Sequence, residues 1–195
     1  AVKAAQACKL RNVATIEFLW NEDAQEFYFM EMNTRIQVEH PITEEVTGAD
    51  LVQLQIRAAA GEVLKFPDNE FEPRGHAIEV RVNAENPYKN FTPSPGPVQA
   101  VHFPGGPGIR VDSHVYSGYE IPPFYDSMIG KIIARGKTRQ EALTRMARAL
   151  SEFKMVGPST TVPVAQALLS DSRFLRGEYN TAFLEQFMND VFWVS

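Results

Sequence analysis

Cysteine and long hydrophobic runs are nearly absent from this chain of 195 residues. The single cysteine, Cys8, excludes a disulfide framework and a C-x-x-C metal site, and its Ala-rich surroundings predict a small core side chain. No apolar stretch approaches the roughly 20 residues that a membrane span needs, and no signal peptide opens the chain. These absences lead us to expect an intracellular protein, cytoplasmic or, in a eukaryote, in the mitochondrial matrix.

Positive charge is also scarce. The chain has 19 Lys and Arg against 24 Asp and Glu, a formal net charge of −5. An acidic balance of this kind argues against a general surface for nucleic acid or for an acidic membrane. The length is sufficient for one large or two small domains with a real core.

Residues 31–40 carry the most informative polar pattern. Read with the two-residue period of a strand, they have one mostly apolar face and one polar face, which consists of Glu31, Asn33, Arg35, Gln37 and Glu39. Carboxylates can hold a hard metal ion, an Arg can bind an oxyanion, and a second carboxylate can move a proton. The pattern predicts an active-site strand, and a solvated edge strand is the alternative.

Two aromatic and β-branched stretches, 15–20 and 26–31, predict a hairpin upstream of this pattern. If the hairpin folds symmetrically, Glu17 lies directly opposite Glu31, which is unfavourable unless a cation sits between them. We therefore expect two carboxylates aimed at one magnesium ion, whereas a register one residue off would leave Glu17 in water. The other expected pairs on this face are Leu19 with Phe29 and Thr15 with Asn33.

Residues 31–44 closely resemble the active-site stretch of biotin carboxylase, the ATP-grasp component of biotin-dependent carboxylases. Five more stretches resemble this family in the same order, and they are 15–19, 74–85, 93–96, 125–131 and 180–185. The resemblance implies an α+β fold of antiparallel strands and helices. It further implies that residues 1–66 are the C-terminal portion of an ATP-grasp domain and residues 67–195 the biotin carboxylase C-terminal domain. A polar stretch bounded by proline, 65–73, supports that boundary.

The reaction implied by the resemblance is ATP-dependent carboxylation of biotin by bicarbonate, through carboxyphosphate. The implied cofactors are ATP and Mg2+ (or Mn2+), with carrier-bound biotin as substrate. A complete biotin carboxylase has further chain before residue 1, so we expect this chain alone to be inactive. The alternatives are another ATP-grasp carbon–nitrogen ligase, such as a carbamoyl phosphate synthetase, and a non-catalytic binding module.

The resemblance assigns the metal and the nucleotide to the hairpin. Glu17 and Glu31 correspond to the magnesium ligands of the family, with Asn33 assisting from the same face. Glu31 is therefore also expected at the ATP site. Leu19 corresponds to an apolar contact beneath the adenine, although a core Leu would have the same pattern.

The resemblance assigns the two other substrates to residues further along. Arg35, Gln37 and the Val38 backbone correspond to the bicarbonate pocket, since a guanidinium fork suits a planar carboxylate-like anion. Glu39 corresponds to the general base that takes the bicarbonate proton. Arg81 corresponds to the residue that stabilises the enolate-like oxygen of biotin.

The partners implied by the resemblance are the missing N-terminal part of the enzyme, a biotin carboxyl carrier and a carboxyltransferase. No biotin-accepting Met-Lys-Met occurs here, so the carrier belongs elsewhere. A homodimer is implied by Arg110, which resembles a position at the family's dimer contact, although Pro107 replaces an aromatic there. The pattern does not choose between the carboxylases of this family, of which the acetyl-CoA carboxylase of fatty acid biosynthesis is one.

Local signals predict the remaining elements. We expect strands over 75–83 and 130–134, a turn-rich connection over 41–48, and helices capped by Asp50 and by the capping box 138–141, with Lys154 and Met155 inside the second of these helices. A last helix is expected from about Val162 to Ser170, and the apolar tail 191–195 either packs or is foreign to the family pattern. His40 is interpreted as a structural hydrogen bonder, and Asp126 as either a turn residue or a functional one.

Overall fold

The computed structural model describes residues 1–66 and 71–193. The chain divides into two compact units, Ala1–Arg74 and Gly75–Ser195. The boundary predicted from the sequence, between residues 66 and 67, lies at the edge of residues 67–70, which are outside the described residues. That boundary therefore stays a prediction, as does any role for the last two residues of the tail.

The described residues of the first unit form one hairpin and three helices. In chain order its elements are α1 (Val2–Ala7), β1 (Thr15–Asn21), β2 (Glu26–Asn33), α2 (His40–Thr47) and α3 (Leu51–Ala59). Asp50 caps α3 as predicted, because its Oδ1 accepts a 2.8 Å hydrogen bond from the Gln53 amide. The prediction that Cys8 is a core residue is wrong, since Cys8 is exposed and α1 has no buried residue in the described chain.

The register of the hairpin was predicted correctly at its open end and wrongly towards its turn. Glu17 pairs with Glu31, and Thr15 with Asn33, as expected. The register then shifts after Glu17, with Met30 as the extra residue of a β-bulge, so Leu19 lies opposite Tyr28 rather than Phe29. A symmetric hairpin could not include this extra residue.

The predicted active-site strand over 31–40 is wrong beyond Asn33, where β2 ends. Asn33 pairs with Thr15, the first residue of β1, so the ladder offers no further partner strand. Residues 34–39 form bends and a turn instead. The predicted turn-rich connection over 41–48 is also wrong, because α2 occupies it with Pro41 in its first turn and Gly48 at φ 78° as its C-cap.

The second unit is built on a three-stranded antiparallel sheet in the order β3–β10–β8, formed by β3 (His76–Asn83), β8 (Ile109–Ser113) and β10 (Met128–Gly136). Three two-stranded ladders surround the sheet. They pair β4 (Glu85–Asn86) with β5 (Thr92–Pro93), β6 (Gly96–Pro97) with β9 (Glu120–Ile121), and β7 (Ala100–His102) with β11 (Lys154–Val156). The predicted strands over 75–83 and 130–134 are thus present as β3 and β10.

The core of the second unit lies between the sheet and the helix α4 (Arg139–Glu152). Thr138 caps α4 as predicted, since its Oγ1 accepts a 3.2 Å hydrogen bond from the Glu141 amide, while Glu141 Oε2 accepts a 2.7 Å hydrogen bond from the Lys137 amide one residue before the cap. One face of α4 is buried through Ala142, Leu143, Met146, Ala149 and Leu150. A Cβ at Gly136 would lie 2.5 Å from the backbone nitrogen of Ala142, so β10 approaches α4 too closely there for any other residue.

The prediction that Lys154 and Met155 continue α4 is wrong. Phe153 adopts an extended conformation that ends the helix, and its side chain is only 6% exposed. Burial of the Phe153 ring is favoured over another helical turn, and the next three residues pair with β7 as β11.

The C-terminal region of the second unit, as far as residue 193, forms three short helices and a π-helical turn. They are α5 (Val162–Leu168), α6 (Ser172–Arg176), α7 (Phe183–Phe187) and the turn Met188–Phe192. The tail packs as far as it is described, because Phe192 stacks on Tyr88 at 5.2 Å and Trp193 Nε1 donates a 3.0 Å hydrogen bond to the Pro87 carbonyl. Among the described residues no helix has both the length and the hydropathy to span a membrane.

Candidate active site

Two carboxylates face each other at the open end of the hairpin in the first unit. Glu17 on β1 and Glu31 on β2 are direct cross-strand partners. The Asn33 amide lies between them, because its Nδ2 donates to Glu31 Oε1 at 2.7 Å and to Glu17 Oε1 at 3.3 Å. The strand period therefore places all three side chains on one face of the hairpin, as the sequence predicts.

Gln37 joins this group from outside the sheet. Its Nε2 donates a 2.7 Å hydrogen bond to Glu17 Oε1. Its backbone carbonyl accepts a 3.2 Å hydrogen bond from the His40 amide and lies 2.8 Å from His40 Nδ1. Residues 34–39 thus fold back over the end of the hairpin, and His40 has the structural role predicted for it.

The other residues predicted for the bicarbonate pocket lie on the same folded-back segment. Arg35 is exposed, and its Nη1 donates a 3.2 Å hydrogen bond to the Ile36 carbonyl. Val38 is half-buried, and Glu39 is exposed at the position immediately before α2. Glu39 makes no capping hydrogen bond to α2, so its carboxylate is not used to close the helix.

Leu19 lies on β1 of the hairpin. Its side chain is 54% exposed, so the alternative interpretation of Leu19 as a core residue is wrong for this chain. Because Leu19 is exposed on the same strand as Glu17, its side chain is available to an apolar ligand group.

Arg81 lies in the second unit, on the sheet face opposite the core. It is exposed, and it pairs across the sheet with Lys131, which pairs in turn with Asp112. Lys131 is 9% exposed with its Nζ 3.7 Å from Asp112 Oδ2, and Arg110 binds the same carboxylate through both oxygens at 2.8 and 2.9 Å. Arg81 is thus part of a row of charges rather than an isolated cation.

Asp126 has the geometry of a turn residue. Its Oδ1 accepts a 2.7 Å hydrogen bond from the Met128 amide two residues along. This bond supports the turn interpretation of Asp126 over a functional one.

The hairpin group has the chemistry of a magnesium site. Mg2+ prefers hard oxygen ligands and is usually held by one or two carboxylates together with water and phosphate oxygens. Glu17 and Glu31 supply two carboxylates, and Asn33 carries an amide oxygen beside them. No cluster of three or more His, Cys, Asp or Glu that could hold a metal occurs in the described parts of the chain.

The contact between Gln37 and Glu17 was missed by the sequence analysis. A strand through residue 37 would have placed the Gln37 side chain about 13 Å from that of Asn33, at roughly 3.3 Å per residue. The signal that could have revealed the contact is Pro41, which favours a helix start nearby and therefore an end to the strand before it.

Comparison with known proteins identifies relatives of both units. Residues 79–186 match the family model of the biotin carboxylase C-terminal domain, and residues 1–66 match that of the carbamoyl-phosphate synthase L chain ATP binding domain. The chain is 55% identical to biotin carboxylase 1 of Bacillus subtilis over 96% of its own length and 42% of that protein. It is 53% identical to a pyruvate carboxylase subunit of Methanothermobacter thermautotrophicus over 98% of its length and 38% of that protein.

Comparison with solved structures also finds biotin carboxylase domains. The biotin carboxylase domain dimer of the Hydrogenobacter thermophilus 2-oxoglutarate carboxylase, determined with MgADP and bicarbonate, matches with a TM-score of 0.91 and 44% identity. That match covers 95% of this chain and 41% of the other. The chain thus spans about two fifths of the length of its relatives. With a family model that covers more than half of its residues, the chain belongs to the biotin carboxylase family.

Proposed function

We infer that this chain is the part of a biotin carboxylase that provides the metal, bicarbonate and biotin-activating residues for ATP-dependent carboxylation of biotin. The observation that carries this proposal is the facing pair of Glu17 and Glu31 with the Asn33 amide between them. The names of the relatives and the MgADP and bicarbonate of the Hydrogenobacter thermophilus domain support it.

In this proposal Glu17, Glu31 and Asn33 hold Mg2+ (or Mn2+). When bound, such an ion would neutralise charge on the ATP phosphates. Glu31 belongs to the ATP site because it is one of these metal ligands. The exposed side chain of Leu19 provides an apolar surface for the adenine.

Bicarbonate binds to the segment that precedes α2. The Arg35 guanidinium offers two parallel N–H donors to a planar anion, and the Gln37 amide and Val38 backbone complete the pocket. Glu39, an exposed carboxylate at the position immediately before α2, accepts the bicarbonate proton.

Arg81 acts on biotin. When the ring nitrogen of biotin loses its proton, negative charge develops on the ureido oxygen, and a guanidinium stabilises that charge. Arg81 is exposed on a strand whose neighbours include the charges of Lys131 and Asp112, which suits a position that receives a polar ligand.

The proposed partners follow from the share of the relatives that the chain spans, about two fifths. They are the remainder of the enzyme, including its N-terminal part, a biotin carboxyl carrier protein or domain, and a carboxyltransferase. The dimer of the Hydrogenobacter thermophilus domain supports a homodimer as well.

A second candidate function is another bicarbonate-activating ATP-grasp ligase. The match of residues 1–66 to a carbamoyl-phosphate synthase ATP binding domain favours it. The two functions differ in whether ATP hydrolysis depends on biotin.

The test is ATP hydrolysis dependent on bicarbonate and free biotin, measured for this chain and for a version extended by the N-terminal region of its relatives. We expect activity only in the extended protein, with a loss of at least about 100-fold on Arg81→Ala or Glu39→Ala. Arg176→Ala is the matched control, because Arg176 is exposed and pairs with Glu178, two residues along the chain. Hydrolysis that needs bicarbonate but ignores biotin would favour the second candidate.

A further inference from the structure

We propose that Gln37 is a positioning residue for the metal site, which orients the Glu17 carboxylate towards magnesium separately from its role at bicarbonate. The inference rests on the proposed function, because it takes Glu17 and Glu31 as the metal ligands. It assigns Gln37 an effect on metal affinity that a residue of the bicarbonate pocket alone would not have.

Within the described part of the chain, both hydrogen bonds to the Glu17 side chain are on one oxygen. From the described residues, Glu17 Oε1 accepts the Gln37 amide at 2.7 Å and the Asn33 amide at 3.3 Å. This arrangement leaves Oε2 to a cation. The bond from Gln37 is the shorter one, and hydrogen bonds to an ionised carboxylate are about twice as strong as neutral ones.

The Asn33 amide cannot orient Glu17 by itself. Its Nδ2 is shared between the two carboxylates, and the shorter bond, 2.7 Å, goes to Glu31 Oε1. The terminal torsion of a glutamate side chain is broad, so the plane of the Glu17 carboxylate is set by its hydrogen-bond donors. Gln37 therefore restrains Glu17 while Asn33 restrains Glu31.

Gln37 is itself held in place. Its carbonyl contacts both the backbone amide and the ring of His40, at 3.2 and 2.8 Å, and Pro41, the next residue of α2, is fully buried. Gln37 and Glu17 are both half-buried, so water competes less for their hydrogen bond than at the surface. The start of α2 thus provides a fixed base from which the Gln37 amide reaches the metal ligand.

Residues that hydrogen-bond a metal ligand in this way typically change metal affinity 10–100-fold when they are replaced. Gln37→Met keeps the length and approximate volume of the side chain and removes the amide donor. Gln53→Met makes the same replacement on an exposed helical position of the first unit, and it is the matched control. Gln37→Asn keeps the amide on a shorter side chain and serves as a second variant if Gln37→Met does not fold.

The experiment is titration of the chain with Mn2+, with free Mn2+ measured by electron paramagnetic resonance and folding checked by circular dichroism. We expect wild type and Gln53→Met to bind Mn2+ with equal affinity. Gln37→Met and Gln37→Asn should bind Mn2+ 10–100-fold more weakly. Glu17→Gln and Glu31→Gln should show no measurable Mn2+ binding. Wild-type Mn2+ affinity in folded Gln37→Met, with binding still lost in Glu17→Gln, would overturn the inference and leave the metal assignment standing. A wild-type chain whose Mn2+ binding does not depend on Glu17 and Glu31 would overturn both.

Discussion

Asp171 is the residue whose ionisation the fold alters most clearly. Its Oδ1 accepts hydrogen bonds from the Arg173 and Phe174 amides at 2.8 and 3.3 Å as the N-cap of α6. The Arg173 side chain, hydrogen-bonded to both of its oxygens, is the main cause that lowers the pKa of Asp171 from 3.8 to about 2. The ionised form is therefore stabilised in the folded chain.

We predict that Asp171→Asn lowers the free energy of unfolding by up to about 1 kcal/mol at pH 7, because Asn is an equally good N-cap but lacks the charge that pairs with Arg173. Because the folded pKa lies below the unfolded one, the contribution of Asp171 is complete above about pH 4 and is lost as the pH falls towards 2. Urea unfolding between pH 7 and pH 2.5 measures the difference between variant and wild type. Asp23→Asn, in the exposed hairpin turn, is the control. A difference that stays constant down to pH 2.5 would contradict the role of the charge.

At the residue scale the sequence predicts contacts that depend only on the strand period. The pairing of Glu17 with Glu31 is such a contact, since alternation and a hairpin of ordinary length are sufficient to place it. The bond from Gln37 to Glu17 is different, because it requires the chain to leave the strand after Asn33 and turn back. The turn begins where β2 runs out of a partner, because Asn33 pairs with Thr15, the first residue of β1. This limit is set by the pairing of two strands and not by the local sequence.

At the scale of elements, two backbones approach closely where Gly157, the residue after β11, passes Pro97 of β6. Gly157 has φ 123°, and a Cβ there would lie 2.3 Å from the Pro97 carbonyl oxygen. Gly96 has a nearly equal φ of 128° with nothing within 4 Å of its Cβ position. A comparison of substitutions at the two glycines therefore separates the cost of a positive φ from the cost of a backbone clash.

We predict that Gly157→Ala destabilises the second unit by about 3 kcal/mol or more, and Gly96→Ala by only about 1 kcal/mol. The first variant combines an unfavourable positive φ with a backbone clash, whereas the second has the φ penalty alone. Thermal and urea unfolding of both variants measure the difference. Equal losses in the two variants would mean that the backbone at residue 97 moves freely, contrary to the prediction.

The elements that the sequence predicts correctly are those with strong local signals. The strand β3 and the helix α4 have clear periods and a capping box, and the structure contains both. The helix α2 was missed because Pro, Thr and Gly are common in turns, yet Pro41 and Gly48 serve here as its first turn and its C-cap. The strand β11 was missed because burial of Phe153, rather than any local breaker, ends α4.

At the scale of the whole molecule, burial is unequal between the two units. Every buried hydrophobic side chain of the described core belongs to the second unit, whereas Pro41 is the only buried residue among those described in the first unit. The hairpin instead exposes large apolar side chains, among them Trp20 and Phe27 at 57% and 65%. A two-stranded hairpin without a covered face is only marginally stable in water.

We predict that hydrogen exchange separates the two units in the isolated chain. Amides of β10 and α4 should exchange only through global unfolding of the second unit, and those of β1 and β2 at least about 100-fold faster. Mass spectrometry of peptides from the exchanged chain measures both in one sample, so each serves as the control for the other. Equal protection of the hairpin would show that it is stabilised by more than its own ladder.

The bulge at Met30 divides the hairpin into two parts that differ in register. Residues on the turn side of the bulge follow one register, and Glu17 and Glu31 follow another. A change in the length of the turn 22–25 can be absorbed where the register already shifts, without moving the facing carboxylates. The tip of this hairpin is therefore a natural place to insert a reporter peptide or to graft a recognition loop beside the metal-type site.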